Sequence, residues 1–206
     1  MPNATSAGFV STRSTHAAVP DLSEDDFQWT GVSNLSLESP GCLADEALAY
    51  DPQQNYTVLF GGRPGCTSDG APSNQTWTYS ANEWTNLTGD TGVTRPARLA
   101  AEMVYDPEGG FLLMFGGQTS NTPTDNETWV FSGGEWTNLR PIQSPSPRLS
   151  YAMDYAPTSG CVLLFGGLIL STNAVLSDTW CSKGGEWTNL TSGIAPPGPK
   201  GSWTSL

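Results

Sequence analysis

Three copies of one pattern run along the chain and constrain its fold more than any other feature of the sequence. Each copy holds a Phe-Gly-Gly triplet, then a Thr-Trp pair, then the pentapeptide Glu-Trp-Thr-Asn-Leu. The tryptophans of the pentapeptide, Trp84, Trp136 and Trp187, are 52 and then 51 residues apart. A period of about 50 residues is typical of solenoids and propellers, in which each repeat is one supersecondary unit. The other repeated residues are Gly61, Gly62, Gly116, Gly117, Gly166, Gly167, Trp77, Trp129 and Trp180.

The composition indicates a turn-rich all-β protein and excludes two classes of partner. Charged residues make up only 14 % of the chain, which contains 23 glycines and 16 prolines, a profile typical of short strands joined by tight turns. The net charge of −12, with eight scattered basic residues, excludes nucleic acid, because neutralising phosphates requires clustered Lys and Arg. No apolar run approaches the roughly 20 residues that cross a bilayer, so the sequence predicts no membrane span.

The middle copy shows how one repeat divides into strands. Two apolar runs, 100–105 and 111–115, are followed by two runs of alternating character, 127–132 and 135–139. Four short segments separated by tight turns predict an antiparallel meander, whose strands we name a to d in chain order. Continuous apolarity predicts that strands a and b are covered on both faces, and alternation predicts that c and d are half-exposed.

Sheets of four short strands are too small to bury both faces alone, so we expect them to stack with bulky aromatic side chains between neighbours. The repeated tryptophans are therefore predicted to fill this interior rather than to stack on a ligand. The pattern resembles the kelch repeat, in particular that of secreted microbial kelch-like proteins. Arg98 and Arg148, seven residues before Tyr105 and Tyr155, match the family's basic position, which Leu43 occupies in the first copy.

The kelch resemblance covers residues 27–206 and implies a kelch-type β-propeller segment, with three complete four-stranded antiparallel blades plus a strand of a blade at each end. The repeat pattern is also similar to that of the central domain of galactose oxidase. The copper site of that enzyme needs histidines, whereas the only histidine in this sequence is His16. The predicted segments are a flexible Ser/Thr/Ala-rich tail or linker (1–26), the outer strand of a preceding blade (27–41), three blades (42–90, 91–140 and 141–192) and the start of a further blade (193–206).

Four cysteines are placed to form two disulfides, each within one blade. In a meander the end of strand b lies beside the start of strand a, which brings Cys42 near Cys66, and Cys161 and Cys181 also lie at a shared strand end. A metal site is the rival interpretation, but no Cys-x-x-Cys motif or partner histidine supports it. Disulfides imply an oxidising compartment, so we expect an extracellular or cell-surface location. Predicted glycosylation sites agree with this location: Asn3, Asn34, Asn55, Asn74, Asn86, Asn126 and Asn189.

Length differences between the copies indicate where a binding surface would lie. The spacing across the a–b turn (Tyr to Phe, 10 residues) and across the c–d turn (Trp to Trp, 7 residues) is constant in all copies. Only the b–c and d–a connections vary, and both lie at one rim, where loops either tune binding or simply drift in length. The rim loops are 63–73, 89–97, 118–125, 140–147 and 168–177.

No residues have the spacing of a catalytic or metal site, so we predict a non-enzymatic protein without a cofactor. The lone His16 excludes the usual Ser-His-Asp triad and His-based metal sites. Asp51 and Asp106 stand in Asp-Pro turns and are replaced by Ala156 in the third copy, which favours a turn role over acid–base chemistry. Glutamates that recur in the c–d turns are also interpreted as structural: Glu83, Glu135 and Glu186.

We expect a non-catalytic extracellular propeller that acts in binding, adhesion or assembly of a surface structure or fibre. Its partners would be other copies of itself or further blades that complete the propeller, together with glycans or surface proteins. The alternative is a non-catalytic part of a larger secreted kelch-type enzyme. Closed propellers have four or more blades, so three blades predict part of a longer protein, half of a six-bladed ring, or a fibre subunit.

Overall fold

The computed structural model describes residues 38–65, 70–92 and 95–191, in which the regular elements are fourteen β-strands. Within these residues no helix has the length and apolar character needed to cross a membrane. The strands are β1 (Leu43–Asp51), β2 (Tyr56–Pro64), β3 (Thr76–Ser80), β4 (Glu83–Asn86), β5 (Arg98–Leu99), β6 (Glu102–Asp106), β7 (Phe111–Phe115), β8 (Gln118–Thr119), β9 (Thr128–Ser132), β10 (Glu135–Leu139), β11 (Ala152–Ala156), β12 (Cys161–Ile169), β13 (Ala174–Lys183) and β14 (Glu186–Asn189).

Twelve strands form three four-stranded antiparallel sheets, each a meander in chain order. Sheet 1 contains β1 to β4, sheet 2 contains β6, β7, β9 and β10, and sheet 3 contains β11 to β14. The all-β prediction and the division of the repeat into four strands are therefore confirmed. β5 and β8 pair separately in a two-stranded sheet, which is why strand a of the middle copy begins at Glu102 rather than at residue 100. Of the predicted flanking strands, residues 27–37 and 193–206 lie outside the described residues, and the described part of the first one, 38–41, is not in a strand.

Sheet 2 is covered on both faces. We call the face of a sheet that points to the earlier copy in the chain its backward face, and the opposite one its forward face. On the backward face of sheet 2, Met114 packs into one core with Phe60 of sheet 1. On its forward face, Phe115 packs into a second core with Leu164 of sheet 3. The two cores alternate along β7 because successive side chains of a strand point to opposite faces.

Four of the repeat tryptophans lie in these cores, Trp129 and Trp136 in the first and Trp180 and Trp187 in the second, but strand burial differs from the prediction. Strand c of sheet 2 is buried from Thr128 to Phe131, whereas strand a alternates between the exposed Glu102 and the buried Met103. The prediction that c is half-exposed and a fully covered was wrong, because c is an interior strand of the meander and a is an edge strand. Trp84 is half-buried, and the other five repeat tryptophans are buried: Trp77, Trp129, Trp136, Trp180 and Trp187.

The first glycine of the Phe-Gly-Gly triplet lets consecutive sheets approach closely. Gly116 has a φ of 61°, and a Cβ built there would lie 2.9 Å from the carbonyl oxygen of Arg148, which leads into sheet 3. The matching Cβ at Gly61 would collide with the carbonyl oxygen of Arg98, ahead of sheet 2. Backbone thus packs on backbone at both contacts, where no larger side chain fits.

We expect Gly116→Ala to destabilise the protein more than Gly133→Ala. Gly133 has a φ of 59°, but no atom of the described part of the chain lies within 4 Å of a Cβ built there. Alanine at this position therefore carries only the left-handed backbone strain, about 1 kcal/mol. Gly116→Ala adds the clash between sheets, a further 1–3 kcal/mol or so. Urea unfolding followed by tryptophan fluorescence measures both free energies. Equal losses in the two variants would contradict this account of the glycine.

Candidate functional site

The predicted turn residues lie in turns. Asp51 accepts hydrogen bonds from the backbone amides of Gln53 and Gln54 through Oδ1, at 2.9 and 3.2 Å. Asp106 does the same in its own turn and also accepts from the amide of Gly184 in sheet 3, at 3.2 Å. The glutamates of the c–d turns are exposed at the first position of strand d: Glu83, Glu135 and Glu186. Among the described residues, no three His, Cys, Asp or Glu side chains are grouped to hold a metal ion.

A buried arginine organises the end of strand b in sheet 2. Arg98 is buried, and its guanidinium donates to the carbonyl oxygen of Gly116 at 3.0 Å and to Oε2 of Glu127 at 2.8 Å. The same carboxylate oxygen accepts the indole N–H of Trp129 at 2.8 Å. One acidic side chain therefore joins the segment before strand a to the tryptophan of strand c.

Sheet 3 repeats this cluster, with aspartate in place of glutamate. Arg148 donates to the carbonyl oxygen of Gly166 at 2.8 Å and binds both oxygens of Asp178, at 2.6 and 2.8 Å. Trp180 donates its indole N–H to Asp178 at 2.7 Å. Two parallel bonds between guanidinium and carboxylate fix distance and orientation together.

Sheet 1 lacks both charges of the cluster. Leu43 stands at the arginine position, and the residue two positions before Trp77 is Gln75. The Gln75 side chain still accepts the indole N–H of Trp77 through Oε1, at 3.1 Å. Removing the arginine together with the acid avoids leaving either charge buried without its partner, which would be strongly destabilising.

The cluster also sets the protonation of its two acids. Burial tends to raise the pKa of Glu127 and Asp178, but hydrogen bonds from the indole and guanidinium groups outweigh it. The pKa of each carboxyl group therefore lies below its ordinary value. Both side chains are ionised at neutral pH, as pairing with a buried arginine requires.

Sequence reasoning identified the two arginines but not their acidic partners. The available signal was an acidic residue two positions before the strand c tryptophan, present as Glu127 and Asp178. It is absent as Gln75 in the one copy whose arginine is replaced by Leu43. The two positions thus change together within this chain.

Each contact between sheets contains the same tryptophan–threonine hydrogen bond. Trp136 of sheet 2 donates its indole N–H to Oγ1 of Thr76 in sheet 1, at 3.1 Å. Trp187 of sheet 3 donates to Oγ1 of Thr128 in sheet 2, at 3.0 Å. Both threonines are buried and come from the repeated Thr-Trp pair. The pair therefore links each sheet to the next one.

Arg95 reinforces the contact between sheets 1 and 2 and was not singled out by the sequence. Its buried guanidinium donates to Oγ1 of Thr76 at 2.9 Å and lies 5.3 Å from the ring centre of Phe60 and 5.5 Å from that of Trp136. Burial, together with the nearby Arg98, lowers the pKa of Arg95 to about 10. It therefore remains charged at neutral pH and makes cation–π contacts with both rings.

The outer faces of the first and last sheets are more exposed than the matching inner faces. On backward faces, Leu48 of sheet 1 is 56 % exposed, whereas its counterparts Met103 and Met153 are 4 % and 9 % exposed. On forward faces, Phe165 of sheet 3 is 37 % exposed, whereas the other phenylalanines of the Phe-Gly-Gly triplet are nearly fully buried: Phe60 at 1 % and Phe115 at 0 %. These two positions are thus buried inside the stack and exposed at its ends, whereas Leu59 and Trp77, which share the backward face of sheet 1 with Leu48, are buried.

One predicted disulfide is present. Cys161, at the start of β12, is bonded to Cys181, late in β13, with their Cα atoms 5.7 Å apart. The bond lies within sheet 3, as predicted from the meander. The other predicted bond, Cys42–Cys66, stays a prediction because Cys66 lies outside the described residues.

The predicted glycosylation sites differ in their surroundings. Asn3 and Asn34 lie outside the described residues. Of the others, Asn74 is half-buried, and four are exposed: Asn55, Asn86, Asn126 and Asn189. The sequon threonines of Asn74 and Asn126 are Thr76 and Thr128, the buried acceptors of the indole bonds between sheets. These two motifs therefore have a structural explanation that is independent of glycosylation.

The variable loops meet along one edge of the sheets. The d–a and b–c connections of the middle copy pair with each other as β5 and β8, and the amide of Arg98 donates to the carbonyl of Ser73 in the preceding b–c loop at 3.0 Å. A cleft of about 330 Å³ includes residues of the 140–147 loop and is lined by Asn126, Glu127, Thr128, Asn138, Leu139, Arg140, Pro141 and Ser144. No model of a known protein family matches this chain.

We expect the buried arginine and its acid to be strongly coupled in stability. Glu127→Gln leaves Arg98 buried without its counter-charge and should cost about 2 kcal/mol, below the value for a fully buried pair because Glu127 is partly exposed. Arg98→Leu combined with Glu127→Gln copies the arrangement of sheet 1. The double variant should lose less free energy of unfolding than the two single variants lose together, by about 1 kcal/mol or more. Additive losses in urea unfolding would show that the pair does not act as a unit.

Stability should fall on acidification through the same acids. Above their ordinary pKa values, 4.5 for Glu127 and 3.8 for Asp178, the folded and unfolded chains are both ionised there and the stabilisation is complete. As the pH falls below these values, the unfolded chain binds protons first, so the free energy of unfolding drops until the folded acids are protonated too. The Glu127→Gln/Asp178→Asn variant should show a flatter pH dependence. Gln75→Ala removes the neutral residue that stands at the position of these acids in sheet 1. This variant should keep the same slope of unfolding free energy against pH as the unmodified chain.

Proposed function

We propose that this chain is a kelch-type β-propeller segment that works by assembly at the cell surface or outside the cell, without catalysis. In its working form, further sheets of the same kind cover the backward face of sheet 1 and the forward face of sheet 3, which none of the described sheets covers. The observation that carries the proposal is the exposure of Leu48 and Phe165, at positions that are buried wherever a neighbouring sheet is present. Apolar side chains grouped on a face mark an interaction surface more often than scattered ones do.

Other features support the propeller and its location. The repeat has the kelch pattern of a Gly-Gly pair after the apolar run of strand b and tryptophans on strands c and d. Consecutive sheets stack by one repeated contact, as blades do. The Cys161–Cys181 disulfide is compatible with an oxidising, extracellular compartment. The acids with the most distinctive surroundings, Glu127 and Asp178, are engaged with buried arginines, which favours a structural role over acid–base chemistry.

We expect the purified chain to form assemblies whose native mass exceeds that of the 21.9 kDa chain. Light scattering coupled to size exclusion, over a range of protein concentrations, measures this mass. Discrete multimers or long polymers would support the proposal, because both cover the open faces. A soluble monomer at every concentration would contradict it.

A further inference from the structure

We propose that the forward face of sheet 3 binds the backward face of sheet 1 in a second copy of this chain, so that copies join head to tail. The inference rests on the proposed function and adds the identity and orientation of the partner. Among the described sheets, the two faces are the unmatched halves of a contact that the chain already makes twice. Continuity with these internal contacts indicates that a second copy is the occupant.

The hydrogen-bonding groups needed for a third contact are both present. Trp136 bonds to Thr76 and Trp187 bonds to Thr128. The same positions leave one donor, the indole of Trp84 on sheet 1, and one acceptor, Thr179 on sheet 3. Among the described residues, neither side-chain group takes part in a hydrogen bond. Both residues are half-buried, whereas their counterparts in the internal contacts are buried.

The aromatic contacts repeat in the same way. Phe60 lies 5.0 Å from Trp136, and Phe115 lies 5.3 Å from Trp187, measured between ring centres across the two internal contacts. The third phenylalanine of the triplets, Phe165, would meet Trp84 of the next copy. Edge-to-face aromatic pairs of this kind are favourable beyond the apolar area that they bury.

The backbone of sheet 3 leaves room for the same approach. Gly166 has a φ of 69°, and among the described residues the only atom within 4 Å of a Cβ built there is the carbonyl oxygen of Leu176, in its own sheet at 3.2 Å. The matching glycines of the first two triplets instead meet a carbonyl that leads into the next sheet, from Arg98 and Arg148. In a second copy, Leu43 occupies the position of Arg98 and Arg148 in the chain.

The turns of the two end sheets differ in matching ways. Between sheets 2 and 3, Asp106 accepts the amide of Gly184. Sheet 3 has Ala156 at the aspartate position, and sheet 1 has Ala81-Asn82 in place of the Gly-Gly turn. Ala156 and the Ala81-Asn82 turn would face each other in the head-to-tail contact. That contact would therefore contain no aspartate that needs the glycine amide.

The contact joins two different surfaces, so a pair of copies still has one unoccupied face at each end. Further copies can therefore add unless the assembly closes into a ring. Such a heterologous contact forms a ring when the rotation between copies closes and a filament when it does not. This property permits a test that distinguishes it from pairing between identical faces. A copy blocked on one face keeps the other face active.

The test uses Leu48→Glu, which blocks the backward face, and Phe165→Glu, which blocks the forward face. Each variant alone should remain monomeric, and a mixture of the two should form a one-to-one dimer, measured by light scattering. Both replaced side chains are exposed, and formation of the mixed dimer itself shows that both variants are folded. Ile142→Glu, at a 97 % exposed residue of a d–a loop, is the matched control and should assemble as the unmodified chain does.

The outcomes separate this inference from the proposed function. If the unmodified chain assembles but either variant dimerises alone, identical faces pair and the head-to-tail contact is overturned. It is overturned also if the mixture stays monomeric while the unmodified chain assembles. If the unmodified chain is itself monomeric, the proposed function fails. In the mixed dimer, Trp84→Phe on the Phe165→Glu partner should weaken binding about 2- to 12-fold through loss of one hydrogen bond, and an unchanged affinity would overturn the Trp84–Thr179 pairing.

Discussion

The contact between consecutive sheets is the constraint on which the rest of the structure depends, because a four-stranded sheet of this size cannot bury both apolar faces alone. In each contact a strand d tryptophan inserts its ring beside a phenylalanine and donates its N–H to a threonine of the earlier sheet. The ring supplies apolar area, and the hydrogen bond fixes its direction. Because the indole N–H has a partner, the tryptophan can be buried without an unsatisfied polar group.

The buried arginines act on a different part of the same arrangement. Arg98 and Arg148 link the segment before strand a, the first glycine of the Phe-Gly-Gly triplet and the acid that binds the strand c tryptophan within one sheet. A buried ion pair is weak evidence for net stability, since desolvation offsets much of the attraction. Its demonstrable effect here is geometric, because several directional bonds hold the arginine against the Gly-Gly pair of the triplet and against the acid before the strand c tryptophan. Sheet 1, with Leu43 and Gln75, forms the same meander without the charges.

The sequence predicted what repeats locally and missed what depends on packing. The period, the two-residue c–d turns and the strand c–strand b disulfide follow from spacing, so Trp136, Trp187 and Cys161–Cys181 were placed correctly. The burial of strand c from Thr128 to Phe131 was not predicted correctly. An alternating pattern predicts a half-exposed strand, but it also occurs in an interior strand that is covered by two sheets. The roles of Thr76 and Arg95 arise between sheets, at sequence separations that no local pattern encodes.

Glycans on strand d would be compatible with a neighbour on the backward face of sheet 1. Asn86 pairs with Trp77, and Asn189 pairs with Trp180, so both asparagines project from the backward side at the outer end of their sheets. Asn189 remains exposed although sheet 2 covers that face of sheet 3. The internal contact therefore stops short of this position, and a contact built in the same way at sheet 1 would leave Asn86 outside it. A carbohydrate at Asn86 would then lie at the edge of the assembly and leave Trp84 accessible to the next copy.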